Sequence, residues 1–333
     1  MYDSKRQTRT VESVLAALRA AAEPTRLRIL SLCAGGELTV SELVRILGQS
    51  QPRVSRHLKL LVDAGLLDRV REGSWVFHRL AYDDPGGTMA RQLIALLPDD
   101  AAAAPLDMDR LAEVKRQRAE AAAAYFRRNA ARWDDVRSLY VEEEVVEAVL
   151  RRLLPRRGVR DLLDIGTGTG RMLEVFASQA RRVLGIDLSP AMLAVARTNI
   201  ERAGIANGQV RKADMYRLPF SSESFDAATI HQVLHFADDP GKAIAEAARV
   251  LRPSARLLVA DFAPHDLEFL RDEHEHRRLG FSDSEVAVWF KSAHLKIKDT
   301  VHLPGDPLTV TVWMGVKPGR RAATAGRRQD GKN

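Results

Sequence analysis

One cysteine in 333 residues, Cys33, excludes an intrachain disulfide and any site built on a thiolate cluster. No apolar run approaches the roughly 18 residues that a membrane-crossing helix needs. The opening stretch MYDSKRQTRTVES has no apolar core of the kind a secretion signal carries, so a cytoplasmic chain with no membrane partner is expected. Aromatic residues make up only 6%. Hydrophobic residues at 45% and charged residues at 29% nonetheless fit a globular chain, and the length predicts two domains of about 100–200 residues each. No internal repeat is visible.

The excess of positive charge is confined to the ends of the chain. Residues 1–82 hold 13 Lys/Arg against 8 Asp/Glu, and residues 317–333 hold 6 against 1, which leaves the stretch between them net acidic. A basic N-terminal module suits a polyanionic partner. The tail KPGRRAATAGRRQDGKN has almost nothing apolar to bury and predicts no fold of its own.

The N-terminal part reads as helices. Apolar residues recur at helical spacing in VESVLAALRAA, and Pro24 opens a second helix that stops at Gly35-Gly36. Thr39 heads a capping box with Glu42, and the short helix after it ends at Gly48. Ser50 is placed to cap the next helix, with Pro52 in its first turn. There Val54, Leu58 and Leu61 share one face, while Gln51, Arg53, Ser55, Arg56 and Lys59 point elsewhere. Arg and Gln can read base edges, Ser can serve base or phosphate, and Lys neutralises phosphate. After Gly65, LLDRV and SWVFHRL flank Glu72-Gly73 as a two-strand hairpin with Arg69 and Arg71 near its tip. Two short helices, the second basic, followed by a basic hairpin make a winged helix-turn-helix, a mainly α domain for double-stranded operator DNA.

The stretch from EPTRLRILSL to SWVFHRL, above all SQPRVSRHLKLL and AGLL, resembles the winged helix of ArsR-type repressors. The resemblance implies a homodimer held by the first helix and a helix after the wing, here TMARQLIALL. Metal-sensing members carry a Cys-x-Cys where this chain has Thr39 and Ser41, so no metal site and no response to zinc, cadmium or arsenite is expected.

The expected division is 1–98 for the winged helix, 99–140 for a linker and connecting helix, 141–317 for a second domain and 318–333 for the tail. Within the connecting segment, Tyr125, Phe126 and Trp133 are expected to pack onto the domain that follows. From residue 161, strands and helices alternate: RDLLDIG, RRVLGID, GQVRKAD, FDAATIHQV, ARLLVADF, then LKIKDTVHL and LTVTVWMGV. That alternation predicts an open α/β Rossmann-like sheet, mostly parallel, with ligands beyond the carboxyl ends of its strands. The first such end carries Asp164, Gly166, Gly168 and Gly170 in the pattern D-x-G-x-G-x-G, not the G-x-G-x-x-G of dinucleotide binders, and Asp187 ends the second strand. A carboxylate at the mouth of the loop repels pyrophosphate and suits a ligand with an ammonium group, as S-adenosylmethionine has.

Together with KADMYRLPFSSESFDAATIHQVLHF, the loop resembles class I S-adenosylmethionine-dependent methyltransferases of the small-molecule type over residues 161–261. The resemblance implies that Asp164, Gly166 and Gly168 hold the methionine portion of S-adenosylmethionine or S-adenosylhomocysteine. Asp187 would accept the ribose hydroxyls, Leu188 would pack on adenine, and Asp214 with the Met215 amide would meet the ring edge. His231 and His235 are candidate bases for a small-molecule methyl acceptor, needed only where the acceptor has a proton to lose. No Asn/Asp-Pro-Pro-Tyr follows the fourth strand, which disfavours base-amine methylation of DNA. The segment HDLEFLRDEHEHRRLGF is expected as a solvated helix over the cleft, its histidines wrongly spaced for zinc. Two functions follow: a regulator that senses the cofactor, as in regulators of the methionine cycle that share this layout, or a methyltransferase with an attached autoregulatory DNA-binding domain.

Overall fold

The computed structural model describes residues 10–72, 75–81, 85–98, 105–130, 143–154 and 158–319. Gly73 of the hairpin, Trp133 and the tail from 320 lie outside the described residues.

The N-terminal domain runs α1 (Val11–Ala21), α2 (Pro24–Ala34), β1 (Leu38–Thr39), α3 (Val40–Leu47), α4 (Gln51–Asp63), β2 (Leu67–Glu72), β3 (Trp75–Leu80) and α5 (Pro85–Ala95). The Thr39 capping box forms: Thr39 Oγ1 accepts from the Glu42 amide at 3.3 Å, and Glu42 Oε2 accepts from the Thr39 amide at 2.8 Å. Gly48 closes α3 in the left-handed conformation that a side chain resists. Ser50, expected as a side-chain cap, makes no capping hydrogen bond. Pro52 removes one of the amides a cap would serve, and the Ser50 carbonyl takes the other, at Arg53. Ile29, Leu30, Leu43, Ile46, Val54 and Leu58 form the core, each side chain contributing about 1.5–3 kcal/mol by leaving water. The connecting helix α6 (Pro105–Asn129) adds Leu111 and Val114 to that same core. β3 lies between β1 and β2, so the wing is the far edge of a small antiparallel sheet.

The C-terminal domain begins with α7 (Glu143–Leu153) and β4 (Val159–Ile165), then continues with α8 (Arg171–Phe176), β5 (Ala180–Asp187), α9 (Pro190–Arg202) and β6 (Gly208–Lys212). β7 (Phe225–His231), α10 (Pro240–Val250), β8 (Leu251–Phe262), α11 (Phe269–His274), α12 (Asp283–Ser292), β9 (Lys296–Leu303) and β10 (Val310–Val316) follow. The seven strands order as β6-β5-β4-β7-β8-β10-β9. The first five are parallel and β10 is antiparallel to both its neighbours. Chain order reverses at β4, which opens the crevice in which such sheets bind ligands. Apolar clusters cover both faces, one around Trp289, Trp313 and Ile244, the other around Phe176, Leu150 and Leu162.

Buried ion pairs fasten the two domains. Glu37, 4% exposed, lies 2.8 Å from Arg79 and 3.1 Å from Arg278, and both arginines also meet Glu285, at 2.8 and 3.0 Å. Burial pushes the Glu37 carboxyl upward, but Arg278, Arg79 and Arg277 outweigh it and hold it below the ordinary range. Arg118 of α6 bonds Glu42 on one side and Asp238 at 2.8 Å on the other. Arg277 joins Asp238 at 3.0 Å and donates to the Glu37 carbonyl at 2.6 Å. The segment expected as a solvated helix is therefore the inner face of this junction: only Phe269–His274 is helical, and Arg271, His276, Arg277 and Arg278 are buried. Arg277 and Arg278 find their partner Glu37 in the other domain, which no local pattern reveals.

Candidate functional site

At the carboxyl ends of β4 and β5 the chain encloses a cavity of about 730 Å³. Asp164, Gly166, Gly168 and Asp187 from the glycine-loop pattern, with Leu188 and Met215 from the resemblance, line it. The loop turns because Gly166, Gly168 and Gly170 all have positive φ. A side chain at Gly166 would overlap Val233, so the strand end and the segment after β7 approach more closely there than any other residue allows. Asp187 Oδ2 accepts from the Gly168 amide at 3.0 Å and Oδ1 from the Ser189 amide at 2.8 Å. Each oxygen has a second lone pair, which suits a vicinal diol. Burial raises the Asp187 carboxyl above its ordinary value, against the pull of those amides. Asp164 is buried and accepts from Thr229 Oγ1 at 2.6 Å, which fixes the carboxylate at the head of the loop. Thr167 Oγ1 is buried without a partner between loop and sheet. Carboxylates at two strand ends, a glycine turn and the apolar Leu188, Met215 and Ile186 between them fit an amino acid, a ribose and a flat base in that order.

Gly170 and Asp214 stand behind this wall rather than in it. Gly170 is the N-cap of α8, and a side chain there would press on Ala196, so its glycine serves packing. Asp214 turns back to accept from the Tyr216 amide at 2.9 Å, leaving its neighbours Ala213 and Met215 to line the cavity.

The two histidines part company. His231, at the end of β7, lines the cavity. His235 does not: its Nδ1 lies 2.8 Å from Asp261 Oδ1, a carboxylate with no exposure that also accepts from the Leu234 and Phe262 amides. The His235 carbonyl accepts from the amides of Arg277 and Arg278 at 2.9 and 3.0 Å. As a candidate base His235 is thus corrected to a fastening point, because Asp261, 26 residues on, fixes its ring behind the wall.

Residues that no cofactor motif marks complete the cavity. Glu42 and Trp75 come from the winged helix, Arg118 and Phe126 from α6, and Arg271, His276 and Arg277 from the junction segment. Their distance along the chain left no periodic signal. Phe126 meets Phe236 edge to face, as expected of an aromatic packing onto the following domain.

In the N-terminal domain Gln51, Arg53, Ser55, Arg56 and Lys59 are all exposed on α4, whereas Val54, Leu58 and Leu61 are buried, and Lys59 pairs with Asp63 at 2.6 Å. Arg69 and Arg71 are exposed on β2. Among the described residues no cluster of His, Cys, Asp and Glu has the arrangement of a metal site, and no helix is long and apolar enough to cross a membrane.

Residues 23–69 match the family described as bacterial regulatory protein, arsR family, and residues 163–259 match the family described as methyltransferase domain. The chain is 27% identical over 228 residues to a ubiquinone biosynthesis O-methyltransferase of Hahella chejuensis, an alignment covering 63% of this chain and 92% of that protein. It is 40% identical over 107 residues to a demethylmenaquinone methyltransferase of Thermus thermophilus, covering 31% of this chain and 47% of the relative. The crystal structure of the YcgJ protein from Bacillus subtilis superposes with a TM-score of 0.46 at 22% identity, over 52% of this chain and 97% of that one.

Proposed function

From a chain that joins an ArsR-family helix-turn-helix domain to a class I methyltransferase domain, we propose a DNA-binding transcriptional regulator whose second domain binds S-adenosylmethionine or S-adenosylhomocysteine and reports it to the first. One observation carries this reading. The cavity that holds Asp187 and the glycine turn is walled on its other side by Glu42 and Trp75 of the DNA-binding domain. Asp164 and the backbone of Gly166 and Gly168 would hold the methionine portion, Asp187 the ribose, and Leu188 and Met215 the adenine. The bound donor would bring a sulfonium-activated methyl. The chain's own part is to hold the zwitterion at Asp164 and keep His231 at the edge of the cavity.

DNA contact would fall to Gln51, Arg53, Ser55, Arg56 and Lys59, with Arg69 and Arg71 on the flanking backbone. A homodimer through α1 and α5 is supported by Val11, Leu15 and Leu18, which stand exposed along α1, and by Leu96 just past α5. Four apolar side chains in water at the edges of two helices suit a second copy of the same chain.

The test is operator anisotropy without ligand and with each cofactor form at saturation, in the wild type and in Asp187→Ala. Coupling is expected to shift operator affinity by a factor of about 5–150, and DNA must shift cofactor affinity by the same factor. The mutant should lose the shift and keep ligand-free DNA binding. If calorimetry shows both cofactors bound while operator affinity stays still, the regulator reading fails.

A second reading, an active small-molecule methyltransferase with an attached autoregulatory domain, is supported by the two methyltransferases it resembles and by a cavity of about 730 Å³ that His231 lines. Alignment of donor and acceptor can supply most of such a rate. Methyl turnover with unchanged operator affinity would establish it.

A further inference from the structure

After its first residue α6 contains no proline and no glycine, so the usual causes of a kink are missing. At about 1.5 Å per residue, its 25 residues span roughly 37 Å as one stiff rod. Its two halves serve different domains.

The first half is fastened to the helix-turn-helix. Asp107, 1% exposed, accepts from Arg28 of α2 at 2.5 and 2.6 Å, and Lys115 Nζ donates to the Gly35 carbonyl at 2.8 Å. Arg110 donates at 3.0 Å to the Ile46 carbonyl, in the last turn of α3 where the helix supplies no amide. Arg118 bonds Glu42 in the first turn of that same helix. α6 therefore grips α3 at both ends and runs in the opposite direction. α3 shares its core with α4, the basic helix.

The second half walls the cavity. Phe126 and Arg127 line it, and Phe126 meets Phe236 of the facing wall with ring centroids 4.9 Å apart. α6 also packs on α9, whose first residues Pro190 and Ala191 line the cavity beside Ser189. The ion pairs of Glu37 and Arg79 reach the small wing sheet instead.

We propose that α6 is the coupling element of the molecule: filling the cavity displaces its second half, and the unbroken helix carries that displacement to α3 and so to α4. The inference rests on the cofactor-sensing reading and adds the route by which the two sites communicate.

The test breaks the rod between its halves. Glu120 lies two residues past Arg118, and its side chain, 61% exposed, meets Arg116 of the same helix. Glu120→Pro removes the amide that would bond the Arg116 carbonyl and kinks the helix there, whereas Glu120→Ala keeps it whole. Operator affinity is read by anisotropy on the full chain, with and without saturating S-adenosylhomocysteine. The ligand-induced shift should stay within about twofold of wild type in Glu120→Ala and shrink to less than about twofold in Glu120→Pro. Each ligand should still bind Glu120→Pro alone within about threefold of wild type. A shift undiminished in Glu120→Pro overturns the proposal.

Hydrogen exchange adds a readout that needs no DNA. S-adenosylhomocysteine should slow the amides of residues 107–118 and of α3 in the wild type, but only those past Glu120 in Glu120→Pro. Unchanged exchange over α3 in the loaded wild type overturns the proposal even if operator affinity moves. Slowed exchange with an unmoved operator leaves the route standing and sinks the regulator reading instead. If Glu120→Pro loses either ligand, the wild-type exchange decides alone.

Discussion

Arg53 and Arg56 stand exposed on α4, whereas Arg277 and Arg278 sit inside the junction, the latter 1% exposed. The same side chain does opposite work in the two places. On α4 a guanidinium kept in water has its fork available for a base edge or a phosphate. At the junction the guanidinium has given up water, a cost of several kcal/mol that only fixed carboxylates and carbonyls offset. Glu37, Glu285 and Asp238 supply those partners. An arginine reads a partner where it is exposed and holds a shape where it is enclosed, and the residue type alone does not say which.

The strongest way to break this comparison is to remove the enclosed acid. Glu37→Leu leaves Arg278 and Arg79 short of a buried carboxylate and should cost about 3–5 kcal/mol in urea denaturation. Equal stability would mean that Glu285 alone satisfies both arginines. The same group predicts a pH dependence. Its folded-state titration lies below the ordinary value of 4.5, so its stabilisation is complete above that pH and is lost as pH falls through the lowered value. The acid limb of the stability curve should therefore be steeper in the wild type than in Glu37→Leu, and identical limbs would remove Glu37 from the account.

On the exposed side, Arg53→Ala should weaken operator binding by about 1–3 kcal/mol without moving stability, read by anisotropy and a melt on one sample. A stability loss with unchanged DNA binding would reverse the assignment. The smallest effect is expected from Arg118→Gln. Its pairs with Glu42 and Asp238 are partly open to solvent, so roughly 1 kcal/mol or less is at stake, and it should shrink further as salt rises.

The sequence reveals what is local. The Thr39–Glu42 box, the Gly48 stop, the outward row on α4 and the turn at Gly166 each depend on neighbours a few residues away, and each forms as expected. The seven strands follow from alternation for the same reason. Two places depart from the local reading because a distant partner intervenes: Asp261 holds His235 behind the cavity wall, and Glu37 draws the polar segment after Phe269 inward. Asp214 turns aside locally, by accepting the amide of Tyr216 two residues on. Phe126 is marked in the sequence as an aromatic that packs onto the next domain, but Trp75 beside the same cavity has no signal, because a domain junction is written in no single stretch.

The Glu37–Arg278 pair spans 241 residues, and synthesis imposes an order on it. At about 5–20 residues per second, the ribosome needs on the order of 10–50 seconds after Glu37 to deliver Arg278. For that interval the winged helix has its own core but no second domain, and Glu37 has only Arg79 of its own domain as a charged partner. The nascent chain thus passes through a stage with its DNA-binding helix formed and its wing unrestrained. Docking comes last, and the linked state is reached only by chains that have been made to the end of the sheet.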